Sequence, residues 1–348
     1  MSSAKGARSV GPSITTVWVC PPRRVSCSNS HTRWRRLSTY AAAKPEIPAP
    51  TTAMRFMYRL DLSKAAALCQ SFVHDMLLTK APRTATLTSV MTLAVTGWIL
   101  AAAVMALLWA WHQRLQNAGI VDVGWTALVA GLAILDARLG HGWEYRRAAV
   151  GCMMGSWGLR LAVYLLYDRV LNRPEDERYV AMRREWGAAA PRRFFWFFQT
   201  QALAAVGFSL PALFSSANPD PRFSFIEIVA AGLWVVAFAG ESTADRQLLR
   251  FRSNTANRGR TCRAGLWKCS RHPNYFFEWL IWIAFALFAA GSPWGWMVFA
   301  CPTAMLYFLF KVTGIPRNEA QALRSRGDEY RDYQRSTSAF VPWFPRRS

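Results

Sequence analysis

The chain has 348 residues, 52% hydrophobic and 14% aromatic, and a formal net charge of +22. Its apolar residues come in long uninterrupted blocks, not at helix or strand period, which excludes an ordinary pair of soluble domains and points to a membrane. The basic charge does not imply a nucleic-acid partner, because the most basic loop lacks stacking aromatics.

The N-terminal region stands apart. Residues 1–83 hold 13 Lys/Arg against three acids, Glu46, Asp61 and Asp75, in a stretch rich in Ser, Thr, Ala and Pro. Basic, hydroxylated and acid-poor composition is that of an organelle-targeting segment; a disordered basic tail is the plainer reading. A boundary is therefore expected after residue 83, with the membrane domain over 84–348. Truncation to residue 84 should leave ligand binding in detergent intact and alter delivery in cells. Loss of ligand binding in the truncated protein would refute this.

Seven apolar blocks follow, at about 90–111, 119–135, 148–167, 194–217, 223–240, 275–290 and 294–314. Several run for about 20 residues without a charge, the length of a helix crossing ~30 Å of hydrocarbon. Such long continuous blocks are helices, because only helices and closed barrels satisfy the backbone in lipid. The expected fold is an all-α polytopic membrane protein with about seven transmembrane helices. With the N-terminal region set aside, alternate loops place 24 Lys/Arg on one side, including eight between Arg246 and Arg271, and four on the other: Arg138, Arg146, Arg147 and Arg222. This asymmetry predicts a C-terminus on the cytoplasm-like side. An endoplasmic reticulum or organelle membrane is the expected location.

Ionisable groups inside apolar spans cost about 2.5–3.5 kcal/mol each on insertion scales, so they mark function or buried pairs. In chain order they are Asp122, Arg160, Glu227, Glu241, Asp245 and Glu278. Tyr164 follows Arg160 by four residues on the same helical face, and Arg169 closes that block. The plain reading of Arg160 is a structural ion pair with Asp122. That of Glu241 and Asp245 is neutralisation by Arg246 and Arg250.

Residues 246–277 contain eight Lys/Arg, one His and no acid. Lipid attraction alone would explain the charge. The interspersed Asn and Gly residues add turns and hydrogen-bonding amides, which with arginine suit a phosphorylated ligand. Asn274 and Glu278 are four apart and share one face of the helix that follows. The seven Cys and five His show no metal-ligand spacing, so neither a zinc site nor a disulfide framework is expected.

The stretch "RHPNYFFE", residues 271–278, resembles the R-H-P-N-Y-x-x-E signature of the steroid 5-alpha-reductase family and its bacterial-type relatives. "VDVGWTALVAG", "GLRLAVYLLYDR", "ADRQLLRFRSN", "NRGR", "GLW" and "EYRDYQRSTSAFVPWFP" extend the likeness from about residue 120 to 345. The resemblance implies a seven-helix membrane reductase using NADPH on an apolar lipid substrate. It implies cofactor contacts at Arg160, Tyr164, Arg169, Asp245, Arg252, Arg260, Asn274 and Glu278, with His272 assisting or capping its helix. The family's substrate-side Glu has no match in the second helix, and Trp157 stands where its Tyr would fall. Asp122 is the second-helix acid available as a catalytic group. Membrane methyltransferases that bind S-adenosylmethionine carry a similar R-H-P-x-Y-x-G motif and form the alternative; Phe277 occupies the glycine position here. A non-enzymatic membrane protein is the remaining reading.

Overall fold

A computed structural model describes residues 87–171, 174–312 and 314–345, all within one compact unit. The targeting segment expected over residues 1–83 lies outside the described residues. Ten α-helices make up the described architecture: α1 Leu87–Leu115, α2 Ile120–Leu139, α3 Glu144–Leu165, α4 Glu177–Trp186, α5 Ala190–Ser215, α6 Phe225–Ser253, α7 Pro273–Ala289, α8 Ala300–Tyr307, α9 Ile315–Arg326 and α10 Asp328–Ser336. Short π-helical turns extend α3 over Leu166–Val170 and α8 over Phe308–Val312.

The protein is an all-α polytopic membrane protein. Among the described residues six helical segments are long and apolar enough to cross a bilayer, where the sequence predicts about seven. The sixth apolar block forms α7, but with 17 residues it falls short of a full span. At 1.5 Å per residue it is about 26 Å long. Burial among its neighbours frees α7 from having to match the bilayer: Trp282, Phe285 and Phe288 are almost fully enclosed. Lipid-facing surface lies elsewhere, on α1 (Met91, Ile99, Leu107) and on the first half of α6 (Phe225, Ile228, Val236).

α2 packs along α3, α1 and α2 along α5, and α6 along α7. Hydrophobic attraction between helices is absent in lipid, so close packing at small residues decides these pairings. Gly158 on α3 lies against α2, where an added Cβ would come within 2.6 Å of the Ala130 Cβ. Gly240 on α6 receives the ring of Phe277 from α7, and a Cβ there would come within 2.4 Å of it. That contact sets α6 and α7 in register and brings Glu241 beside Glu278.

α6 has 29 residues, roughly 44 Å at 1.5 Å per residue, well over the ~30 Å of hydrocarbon. Counted from Phe225, hydrocarbon ends near residue 244. Glu241 and Asp245 therefore sit at its far edge, and Arg246, Arg250 and Arg252 project beyond it. A capping box starts this helix, with Ser224 and Glu227 satisfying each other's backbone N–H.

Candidate functional site

The central cluster joins three helices. Arg160 of α3 reaches α6, where Nη1 donates to Asp245 Oδ2 at 2.9 Å and Nη2 pairs with Glu241. Its guanidinium also lies over the Phe238 ring, 5.4 Å from the centroid. The Asn274 amide, on the first turn of α7, is a hydrogen-bond partner of Asp245. One turn further along, Glu278 is buried and meets Glu241. Both Glu278 oxygens are held by indoles: Trp282 Nε1 donates to Oε1 at 2.9 Å, and Trp157 Nε1 donates to Oε2 at 3.0 Å. The two indoles meet edge to face, centroids 5.1 Å apart.

This arrangement replaces both plain sequence readings. Arg160 does not pair with Asp122, and Glu241 and Asp245 are neutralised by Arg160, not by Arg246 and Arg250. The i, i+4 spacing of Glu241 and Asp245 lets one guanidinium take both. Arg160 is the seventeenth residue of α3, so it sits about 24 Å along the helix, level with the stretch of α6 where the acids lie.

A second cluster holds Asp122, at the start of α2. Its Oδ2 takes guanidinium donors from Arg169 and Arg178, and its Oδ1 accepts from the Tyr179 hydroxyl at 2.9 Å. Asp122 is thus an acceptor for three donors and ties the end of α3 and the start of α4 to α2. Tyr275 of α7 lies between the clusters, within electrostatic reach of Arg169, Arg178 and Asp245.

The loop between α6 and α7 folds back onto α6. Gly265 takes a positive φ of 59° there, and any Cβ would strike Gln247. Leu266 N donates to Gln247 Oε1 at 2.9 Å, and Trp267 Nε1 donates to Ala244 O at 2.9 Å. These bonds fix the loop beside Asp245. Arg260 is exposed along its course, and Arg252 is exposed on the last turn of α6 just before it. His272 takes the N-cap position of α7 without a side-chain capping bond; its ring stacks on Tyr275, and Nε2 lies 3.3 Å from Glu319 Oε1.

The structure therefore brings Arg160, Asp245, Asn274 and Glu278 together and groups Arg169 with Asp122. Tyr164, one turn beyond Arg160 on α3, is half-buried. Glu241 and Trp282 join the site without having been assigned to it. The i, i+4 step from Glu278 to Trp282 was a readable sign, since a buried carboxylate needs donors on its own helix face. Arg178, Tyr179 and Glu319 carried no such sign, because their partners are remote in sequence.

A family model described as "Protein of unknown function (DUF1295)" matches residues 108–337. An uncharacterised protein of Schizosaccharomyces pombe is 26% identical over 277 residues, covering 71% of this chain and 79% of that protein. No solved structure matches. The family match spans about two thirds of the sequence and takes in every helix that contributes to the central cluster, and the protein belongs to the DUF1295 family.

Proposed function

We propose that this protein is a membrane-embedded, NADPH-dependent reductase of a conjugated double bond in an apolar lipid of steroid, sterol or isoprenoid type. One observation carries the reading. Four residues assigned to the cofactor by resemblance, Arg160, Asp245, Asn274 and Glu278, converge from three helices beside a loop of exposed arginines.

The donor set fits NADPH. Arg160 Nε and Glu241 Oε2 are buried without a hydrogen-bond partner, leaving a donor and an acceptor for a bound hydroxyl or amide. Arg252 and Arg260 would take phosphate oxygens, and the carboxyl and amide groups of Asp245, Asn274 and Glu278 would orient the ribose and nicotinamide. When bound, NADPH supplies a hydride to the double bond. The indoles of Trp157 and Trp282 hold the Glu278 carboxylate in one orientation, and the enclosed rings around them keep water from the reacting end. Asp122 is the proposed substrate-side group; as a carboxylate that accepts from three donors it would position the substrate end, and the proton that completes the reduction would come from solvent.

Three carboxyl groups face one guanidinium in the central cluster. That excess of acid is the one observation favouring the alternative, a methyltransferase whose S-adenosylmethionine carries a cationic sulfonium. Thermal unfolding of the purified protein in detergent separates the two. The expected result is stabilisation by NADPH and little response to S-adenosylmethionine. The reverse result would establish the methyltransferase reading, and a response to neither would favour a non-enzymatic protein.

Replacing Arg252 or Arg260 by alanine removes a charge-assisted phosphate contact worth about 1.5–3 kcal/mol, so NADPH affinity should fall roughly 10- to 100-fold. Both side chains are exposed, so the fold should be unaffected. An unchanged NADPH affinity in both variants would remove the loop from the cofactor site.

A further inference from the structure

α9 forms the C-terminal part of the last long apolar segment, Gly295–Arg326, and two of its adjacent side chains grip the N-terminus of α7. Asn318 Nδ2 donates to the Tyr275 hydroxyl at 2.7 Å. Glu319 Oε1 accepts from Arg271 Nε at 2.7 Å and lies 3.3 Å from His272 Nε2. The other Glu319 oxygen accepts from Gln334 Nε2 of α10 at 2.8 Å. Both oxygens of this one carboxylate are thus committed, one to the loop and one to the C-terminal helix.

The rest of the C-terminal segment reinforces the grip. Arg271 Nη1 donates to Gln334 O and Thr337 O at 2.9 and 2.8 Å, and Arg271 N donates to Ser338 O at 2.8 Å. Ser270 Oγ donates to Phe340 O at 2.8 Å. The Arg271 and Glu319 side chains are 11% and 15% exposed, so solvent screening weakens their pair less than it would a surface bridge. Arg271 spends Nε and Nη1 on this segment. Asn274, by contrast, lies three residues on, with its amide at Asp245.

We propose that Asn318 and Glu319 form a clamp that positions the start of α7, and with it Asn274, against the Arg160–Asp245 pair. As a statement about NADPH this rests on the reading above. As a statement about the chain it does not: releasing the clamp should loosen residues 270–276 with no ligand present.

Two measurements on Glu319→Ala test it. Amide exchange over residues 270–276 should speed up by about 10-fold or more in the ligand-free protein, while exchange in α2 and α5 stays as in wild type. NADPH Kd should rise by about 10-fold, with turnover at saturating NADPH within about 2-fold of wild type. Glu319→Gln, which still accepts from Arg271, should recover part of both losses, and Asn318→Ala should give a smaller shift in the same direction. Unchanged exchange at 270–276 would overturn the clamp. So would a general fall in unfolding temperature, turnover and NADPH binding that Glu319→Gln does not relieve. If wild-type protein binds no NADPH, the reductase reading fails and the exchange measurement alone decides the clamp. Should Glu319→Ala not fold, Asn318→Ala is judged by the same two criteria.

Discussion

Replacing Arg146 by alanine is expected to cost about 3–5 kcal/mol of stability, the loss typical of removing one partner from a buried ion pair. Arg146 is 1% exposed although it lies on the first turn of α3. It pairs with Glu227 of α6, and its remaining donors go to backbone carbonyls of the α5–α6 connection: Nη1 to Asp220 O at 2.7 Å and Asn218 O at 3.2 Å, and Nη2 to Arg222 O. Trp143 and Phe223 flank the guanidinium, with ring centroids 5.5 and 5.9 Å away. Alanine would leave the Glu227 carboxylate buried with only the Ser224 donors, and three carbonyls would lose a charged donor. Lysine offers a point charge and no fork, so Arg146→Lys should recover little of the loss. Adding Glu227→Gln to Arg146→Ala should recover part of it, because no unpaired carboxylate then remains. NADPH affinity of the folded fraction should not change, since Arg146 lies 14 residues, about 21 Å, from Arg160 along α3. Chemical unfolding in detergent measures the cost, and a loss below about 1 kcal/mol would show that this end of the bundle does not depend on the pair.

The membrane helices were legible because hydrocarbon imposes a compositional rule. Blocks at about 119–135 and 275–290 appear as Ile120–Leu139 and Pro273–Ala289. The limits that differ most are those where the backbone continues beyond the hydrocarbon. The fifth block ends near residue 240, yet α6 runs on to Ser253, because a helix in polar surroundings needs no apolar face. The seventh block is broken into a 3₁₀ turn, the eight-residue α8 and a π-turn. At the site, spacing within one helix was readable: Glu241 with Asp245, and Asn274 with Glu278. Pairing between helices was not, because it depends on which faces meet. Arg146 was counted as a loop charge, although "SFIE", residues 224–227, marks a helix start at which its partner Glu227 is fixed. The Gly240–Phe277 and Gly158–Ala130 contacts decide those faces, and nothing in the local pattern of either glycine announces its partner.

Loss of Arg160 is expected to weaken NADPH binding roughly 10- to 100-fold, provided the effect on the fold is separated from the effect on the ligand. Arg160→Ala alone does not separate them. Arg160 is the cation that offsets Glu241 and Asp245, so its removal leaves two buried carboxylates unpaired and loosens the α3–α6 contact. A double variant, Arg160→Gln with Glu241→Gln, removes one charge of each sign. The new amides can still donate to Asp245, which keeps its place beside Asn274. This protein should unfold nearer the wild-type temperature than Arg160→Ala does. It should still bind NADPH poorly, because a neutral amide does not replace the guanidinium donor Nε. Glu241→Gln alone serves as the comparison, since Arg160 and Asp245 remain paired in it and the new amide keeps one acceptor oxygen for the ligand; its NADPH affinity should fall less than that of the double variant. A folded double variant with wild-type NADPH affinity would sink the cofactor role of Arg160. It would leave Arg160 as a tie between α3 and α6, and the convergence of Arg160, Asp245, Asn274 and Glu278 would then need a ligand other than a dinucleotide.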